Sequence, residues 1–391
     1  MVLINAVTLA PAISSTLPLI NPLERLGVVA AESFTSNSIG AALAGGVVLG
    51  TATIAKYRTN GNVLGVSGIV DGLTRPNLTV QGALDRFSFL AGLLIAGFVL
   101  RFFLPDCLGR PAATALTLGG ISIPRQVVAG GLVGYGSARG SGCTSGHGIF
   151  GNARLSKRSI AATTSFLLAG FGSAAVFCTA KYCDVTSMLS AVWPPRPSTS
   201  MAMAGGILFL YATSILNASK ATEIGAISRR QGQRLVDCVT GLTFGLALGL
   251  SGMLNPCRVA KFFDVRSPDP TLAFVIGGAL AIAAPAFALI PKKKNGEPKV
   301  PPIIAETYSC PSRSRPIDTK LITGALIFGT GWGMMGLCPA PALISLSSAS
   351  TWPDFKSIAL FDSAMVLGWA IHHRFESFQK WVRSVLQNSY A

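Results

Sequence analysis

Nine stretches of roughly twenty mostly apolar residues recur along this chain, and they limit its fold more than any other feature. They lie at about 38–56, 84–104, 124–141, 158–178, 201–217, 235–251, 270–290, 319–336 and 355–372. A helix of about 20 such residues crosses the hydrocarbon core of a bilayer. Charge content agrees. Only 12% of the residues are Asp, Glu, Lys or Arg, about half the ~25% of a soluble domain. That is too few to cover a water-facing surface. The sequence predicts an all-α polytopic membrane protein in contact with a lipid bilayer.

Four shorter segments, at about 61–72, 143–151, 252–264 and 338–348, are broken by Gly or Pro and too polar to span. Irregular backbone at membrane depth must line a cavity or be buried in protein, so these read as re-entrant or central helices. Basic residues orient the set. Arg154, Lys157 and Arg158 share one loop, Arg229, Arg230 and Arg234 another, and Lys292, Lys293, Lys294, Lys299, Arg313, Arg315 and Lys320 the longest. If each broken segment turns back, the three loops fall on one face, which the positive-inside rule makes cytosolic. The C-terminal tail 373–391, with Arg374, Lys380 and Arg383, falls there too. An odd number of spans then leaves the N-terminus outside. The N-terminal tail 1–37 is interrupted by Pro11, Pro18 and Pro22 and has no basic n-region, so a disordered or surface-lying tail is expected rather than a cleaved signal. The basic loop 291–318, with PKKKNGEPKVPP, reads as a flexible linker. The net charge of +16 suits loops that face the cytosol and anionic lipid. No aromatic-basic motif accompanies it, so a nucleic-acid partner is not expected. Some of the charge, beside a Gly/Cys motif, would also draw an anion toward a pore.

The chain contains a repeat. GYGSARGSGCTS from Gly134 matches GTGWGMMGLCPA from Gly329, with Cys143 and Cys338 in the same register. The register also pairs Gly136 with Gly331, Gly46 with Gly241 and Gly50 with Gly245. Each half, 38–200 and 218–372, holds four spans and two broken segments, and the span 201–217 links them. One odd crossing between halves inverts the second relative to the first, a recurrent transporter plan with the solute site at the repeat interface.

Candidate chemistry centres on cysteine. The eight cysteines form no CxxC pair, no zinc spacing and no expected disulfide framework, so they matter as thiols; no metal or cofactor is expected. Cys143 lies in a window, Gly130–Gly151, with nine glycines, where backbone can approach a ligand closely. Gly142, Thr144, Ser145 and His147 surround it, with Arg139 as a nearby charge at membrane depth. Cys338 precedes Pro339, a residue that suits a first helical turn. Cys257 occupies the other broken segment of the second half. Cys107, Cys178, Cys183, Cys238 and Cys310 read as small buried hydrophobes, and His372 and His373 as interfacial. Arg258, Lys261 and Asp264 read as a local ion-pair group. Asp237 and Asp362 fall inside spans, where pairing with a base is their expected use. No GxxxxGK[ST] loop is present, so ATP coupling within the chain is not expected.

GCTSGHGIFGNARLSKRS, LNPCRVAKFFD and GLCPAPAL resemble the signature segments of the YeeE/YedE family of sulfur-transport membrane proteins, over about residues 40 to 372. The resemblance implies an hourglass of spanning helices around short central ones. It implies uptake of thiosulfate, or a similar small sulfur anion, along a narrow cysteine-lined path by weak S–H···S contacts. It places Cys143 and Cys338 in the two central motifs and Cys257 in a third family segment. A cytosolic sulfur-carrier protein is a further expected partner, and the plasma membrane the expected location. The chain then reads as no enzyme. The alternatives are a membrane-embedded persulfide carrier and a sensor.

Overall fold

The computed structural model describes residues 36–104, 121–182, 196–266, 268–291, 298–311, 315–349 and 351–389. Twelve α-helices form, with no strand among the described residues: α1 Ser36–Asn60, α2 Val66–Asp71, α3 Val80–Phe103, α4 Ile123–Arg139, α5 Lys157–Phe177, α6 Pro197–Glu223, α7 Arg229–Leu250, α8 Pro256–Phe262, α9 Thr271–Leu289, α10 Thr319–Met335, α11 Pro339–Ser348 and α12 Trp352–Ser389. A π-helical segment, Thr144–Gly151, lies between α4 and α5. Local chemistry sets the ends. Thr79 caps α3 through Gly82 N, Asp318 caps α10 through Leu321 N, and Ser228 with Gln231 forms a capping box on α7. Among the described residues, six helices are long and apolar enough to cross a membrane. Large apolar side chains such as Phe98, Phe102, Leu168, Val176, Phe209 and Leu289 face outward, where lipid rather than water suits them. The protein is an all-α polytopic membrane protein.

Packing follows the repeat register. α1 packs on α9 as α7 packs on α3; α4 packs on α12 as α10 packs on α5. α4 meets α10, α1 meets α7, and α6 touches both α1 and α7. The matched glycines sit at matched crossings. A Cβ at Gly134 would lie 2.0 Å from Met365 O on α12, and one at Gly329 would lie 2.2 Å from Phe166 O on α5. A Cβ at Gly46 would lie 2.4 Å from Val275 O on α9, and one at Gly241 2.2 Å from Phe89 O on α3. Small residues let these backbones touch, the usual way helices associate in lipid.

Three readings are corrected. The described part of the linker is not a free chain: Ile303 N and Ile304 N donate to Arg58 O and Thr59 O, Ser309 pairs with Asn62, and Ile304 is buried. The tail from 373 continues α12 as helix through Ser389. His372 is buried with its ring against Tyr135, and His373 bonds Asp71 at 2.6 Å, so neither is a simple interfacial residue. The three basic loops do meet at one end of the bundle. Arg158 reaches Asp318, Arg229 reaches Glu306, and Arg234 reaches Asp85. Cys107, Cys183, Lys292–Lys294, Arg313 and residues 1–35 lie outside the described residues.

Candidate functional site: two cavities around the Gly/Cys motif

The Gly/Cys motif ends α4 and opens a turn that only a glycine-rich chain makes readily. Ser141 takes φ +59° and Gly142 φ +157°. A Cβ on Gly142 would strike the His147 ring at 2.8 Å. That ring is the clamp under the turn. His147 Nε2 lies 3.1 Å from Gly140 O and Nδ1 lies 3.1 Å from Ser159 Oγ. A carbonyl only accepts, so Nε2 carries the proton and, in the neutral ring, Nδ1 accepts from the hydroxyl. Both nitrogens are thereby used, and His147 positions the loop.

Cys143 is the N-cap residue of the π-helical segment and is buried. Its counterpart, Cys338, is the N-cap residue of α11, with Pro339 in the first turn. The chain reaches Cys338 through Gly336 at φ +69°, where a Cβ would lie 2.2 Å from Pro256 O. Each thiol touches a hydroxyl. Cys143 Sγ lies 3.4 Å from Ser145 Oγ, and Cys338 Sγ lies 3.5 Å from Thr144 Oγ1. The second contact joins the two halves of the chain. Ser145 Oγ also accepts from Val66 N at 3.0 Å, which ties α2 to the motif. These groups, with Pro339, line a cavity of about 60 Å³ whose other walls are apolar, among them Phe244, Leu248, Met253 and Trp332.

The other face of the same stretch borders a larger cavity. Ser141, Gly142, Gly146 and His147 help to line a vestibule of about 460 Å³ at the basic end of the bundle. Residues 141–147 thus form a wall with thiols on one side and a polar vestibule on the other.

Two expected site residues fall elsewhere. Arg139 lines neither cavity; as the last residue of α4 it reaches across to α10, where its Nε donates to Thr323 Oγ1 at 2.8 Å. Cys257 is disulfide-bonded, so it has no S–H to offer a solute, and the expectation that every cysteine is a thiol fails there. Arg258 pairs with Asp269 at 3.3 Å rather than with Asp264, which pairs with Arg266. The half-buried Asp237 pairs with Lys56, as expected of an acid inside a span. Asp362 is buried with neither carboxyl oxygen hydrogen-bonded among the described residues. Sequence reasoning passed over Trp332. It lines the thiol cavity, and its Nε1 is buried with no partner among the described residues. Its signal was present, since it stands in GTGWGMMG, a segment read for its glycines alone.

Residues 233–384 match a family of unknown function, DUF6691. A probable transporter of Xylella fastidiosa strain Temecula1 is 43% identical over 141 residues, which cover 36% of this chain and 87% of the relative. A probable transporter of strain 9a5c is 43% identical over 141 residues, 88% of its length. A second Temecula1 probable transporter is 38% identical over 130 residues, covering 33% of this chain and 88% of the relative. The chain belongs to the same family as these probable transporters. About a third of this chain covers the relatives almost end to end, so each relative is less than half as long. No solved structure matches the chain.

Proposed function

We propose that the protein transports a small sulfur-containing dianion, thiosulfate first among them, across the membrane through the thiol cavity. The observation that carries this is the convergence of Cys143 and Cys338, one from each half, on a single narrow cavity bridged by Thr144. The names of the relatives support a transport role. A dianion leaves water only if donors replace its hydration. Two thiols, two hydroxyls and the Trp332 N–H supply five weak donors, and no charged side chain among the described residues lines this cavity. Weak contacts suit passage: a fixed lysine would hold the ion, whereas several modest donors let it enter and leave. Among the described residues no acid or base lines the cavity to activate a thiol, which favours transport over a persulfide-transfer enzyme.

The same reading takes the two matched sets of elements, with α6 between them, as an inverted repeat. It places the basic end in the cytosol of the plasma membrane, beside a sulfur-carrier protein that receives the solute. The disulfide supports that orientation. α7 runs from basic Arg229 to Leu250, so Cys257 lies just beyond the end opposite the basic loops, and disulfides persist outside the reducing cytosol.

Uptake of labelled thiosulfate into proteoliposomes tests the proposal. Wild type should accumulate label, and Cys143→Ala and Cys338→Ala should each reduce uptake at least tenfold at equal insertion. Wild-type uptake in both variants would remove the thiols from the path.

A further inference from the structure

The vestibule beyond the 141–147 wall is built for a different selection. Its lining contains five cations, Lys56, Arg86, Arg154, Arg158 and Arg315, two carboxylates, Asp85 and Asp237, and no cysteine. Both carboxylates are committed. Asp237 accepts from Lys56 and from Asn60 Nδ2 at 2.7 Å. Asp85 accepts at 2.7 Å from Arg234, which lies outside the lining. Of the cations, Lys56 is used by Asp237, and Arg158 meets Asp318 at 3.1 Å.

Three guanidinium groups remain. Arg86 donates to Gly68 O at 3.1 Å and Ile69 O at 3.2 Å. Arg154 donates to Pro311 O at 3.2 Å and to Cys310 Sγ. Carbonyl oxygens fix the direction of a guanidinium without cancelling its charge; Asp71 and Asp85 lie within electrostatic reach of Arg86, and Asp318 of Arg315, but none of them forms an ion pair with it among the described residues. Arg315 forms no ion pair among the described residues. The three come from α3, from the turn before α5 and from the docked linker, so they border one space from separate sides.

We propose that this vestibule is a binding site for a hydrated divalent oxyanion, held by Arg86, Arg154 and Arg315. Forked N–H donors match the oxygens of a tetrahedral anion. The site is several times larger than the thiol cavity, so the anion keeps part of its water there. It selects by charge, and nothing in its lining distinguishes sulfate from thiosulfate. The thiol cavity selects by the sulfur end. Sulfate should therefore bind in the vestibule and go no further. The inference does not rest on which solute crosses, because binding is read directly.

The test is calorimetric titration of sulfate into the full chain in phosphatidylcholine nanodiscs, where no anionic headgroup competes, at ionic strength fixed with chloride. Wild type should bind sulfate. The double variant Arg86→Gln/Arg154→Gln should bind at least tenfold more weakly. Arg315→Gln, in an exposed loop where folding is insensitive, should weaken binding at least threefold. Arg229→Gln, which changes a surface pair outside the lining, should bind like wild type. Folded wild type that takes no sulfate, or wild-type affinity in both the double variant and Arg315→Gln, would overturn the site. Sulfate binding without any thiosulfate uptake would leave this site standing while removing the transport proposal.

Discussion

Two tryptophans are almost completely buried in the bundle, and among the described residues only one has a partner for its N–H. Trp369 Nε1 donates to Ser137 Oγ at 2.9 Å, whereas Trp332 Nε1, beside the thiols, donates to nothing. An unmade hydrogen bond on a buried donor costs about 1–3 kcal/mol. A donor kept in that state next to a cavity is suited to a ligand that completes it. Trp332→Phe removes the N–H and keeps a ring for the edge contacts with Phe166 and Phe263. Relief of the unmet donor offsets the lost ring volume, so thermal stability should hold to within about 1 kcal/mol. A hydrogen bond to a charged group contributes about 1.5–3 kcal/mol, so the thiosulfate KM should rise at least tenfold. A variant that melts much earlier yet keeps its KM would make Trp332 a packing residue only.

At the scale of elements, the helices and their four breaks were legible because each rests on local signals: apolar length, a cap, a Gly or Pro. The placement of Cys143 and Cys338 was legible for the same reason, since each stands one residue before a short helix. What the sequence hid depends on contacts between distant residues. Arg139 looks like a motif charge until α10 offers Thr323. Cys257 looks like a thiol until the fold pairs it. The vestibule draws its bases from positions as far apart as 56 and 315. The linker reads as free because its charges outnumber the few apolar residues, such as Ile304, that dock it. Asp318 shows how such docking is tied to helix ends. It caps α10 through Leu321 N at 2.8 Å and meets Arg158. Partial burial works to raise its carboxyl, but the Leu321 N–H and the Arg158 guanidinium outweigh that and hold it below the usual carboxylate range. The ionised form is thus favoured by the fold. Its contribution is complete above the unfolded value near ~3.9 and fades as pH falls through the lower folded value. Asp318→Ala should cost about 1 kcal/mol at neutral pH, measured by thermal unfolding in detergent. The difference from wild type should shrink as the pH is lowered below about 4. A difference that is constant with pH would mean the cap acts without its charge.

At the scale of the whole molecule, the basic loops gather at one end of the bundle and the disulfide-bonded Cys257 lies toward the other, and both bear on the proposed orientation. Arg154, Arg158, Arg234 and the docked linker gather at one end. Cys257 lies toward the other, following the far end of α7. Two cysteines outside the disulfide report on the ends separately. Cys310 is in the linker against Arg154, and Cys178 follows the last residue of α5, a helix that starts at basic Lys157. Both are partly exposed. In right-side-out vesicles carrying single-cysteine variants, a membrane-impermeant maleimide should label Cys178 at once and Cys310 only after permeabilisation. The opposite pattern would turn the molecule over in its membrane and make the basic vestibule the entrance for solute arriving from outside. Labelling of both thiols from one side would contradict the placement of these loops at opposite ends. It would also make the number of crossings between the two thiols even, where α6, α7 and α9 supply three.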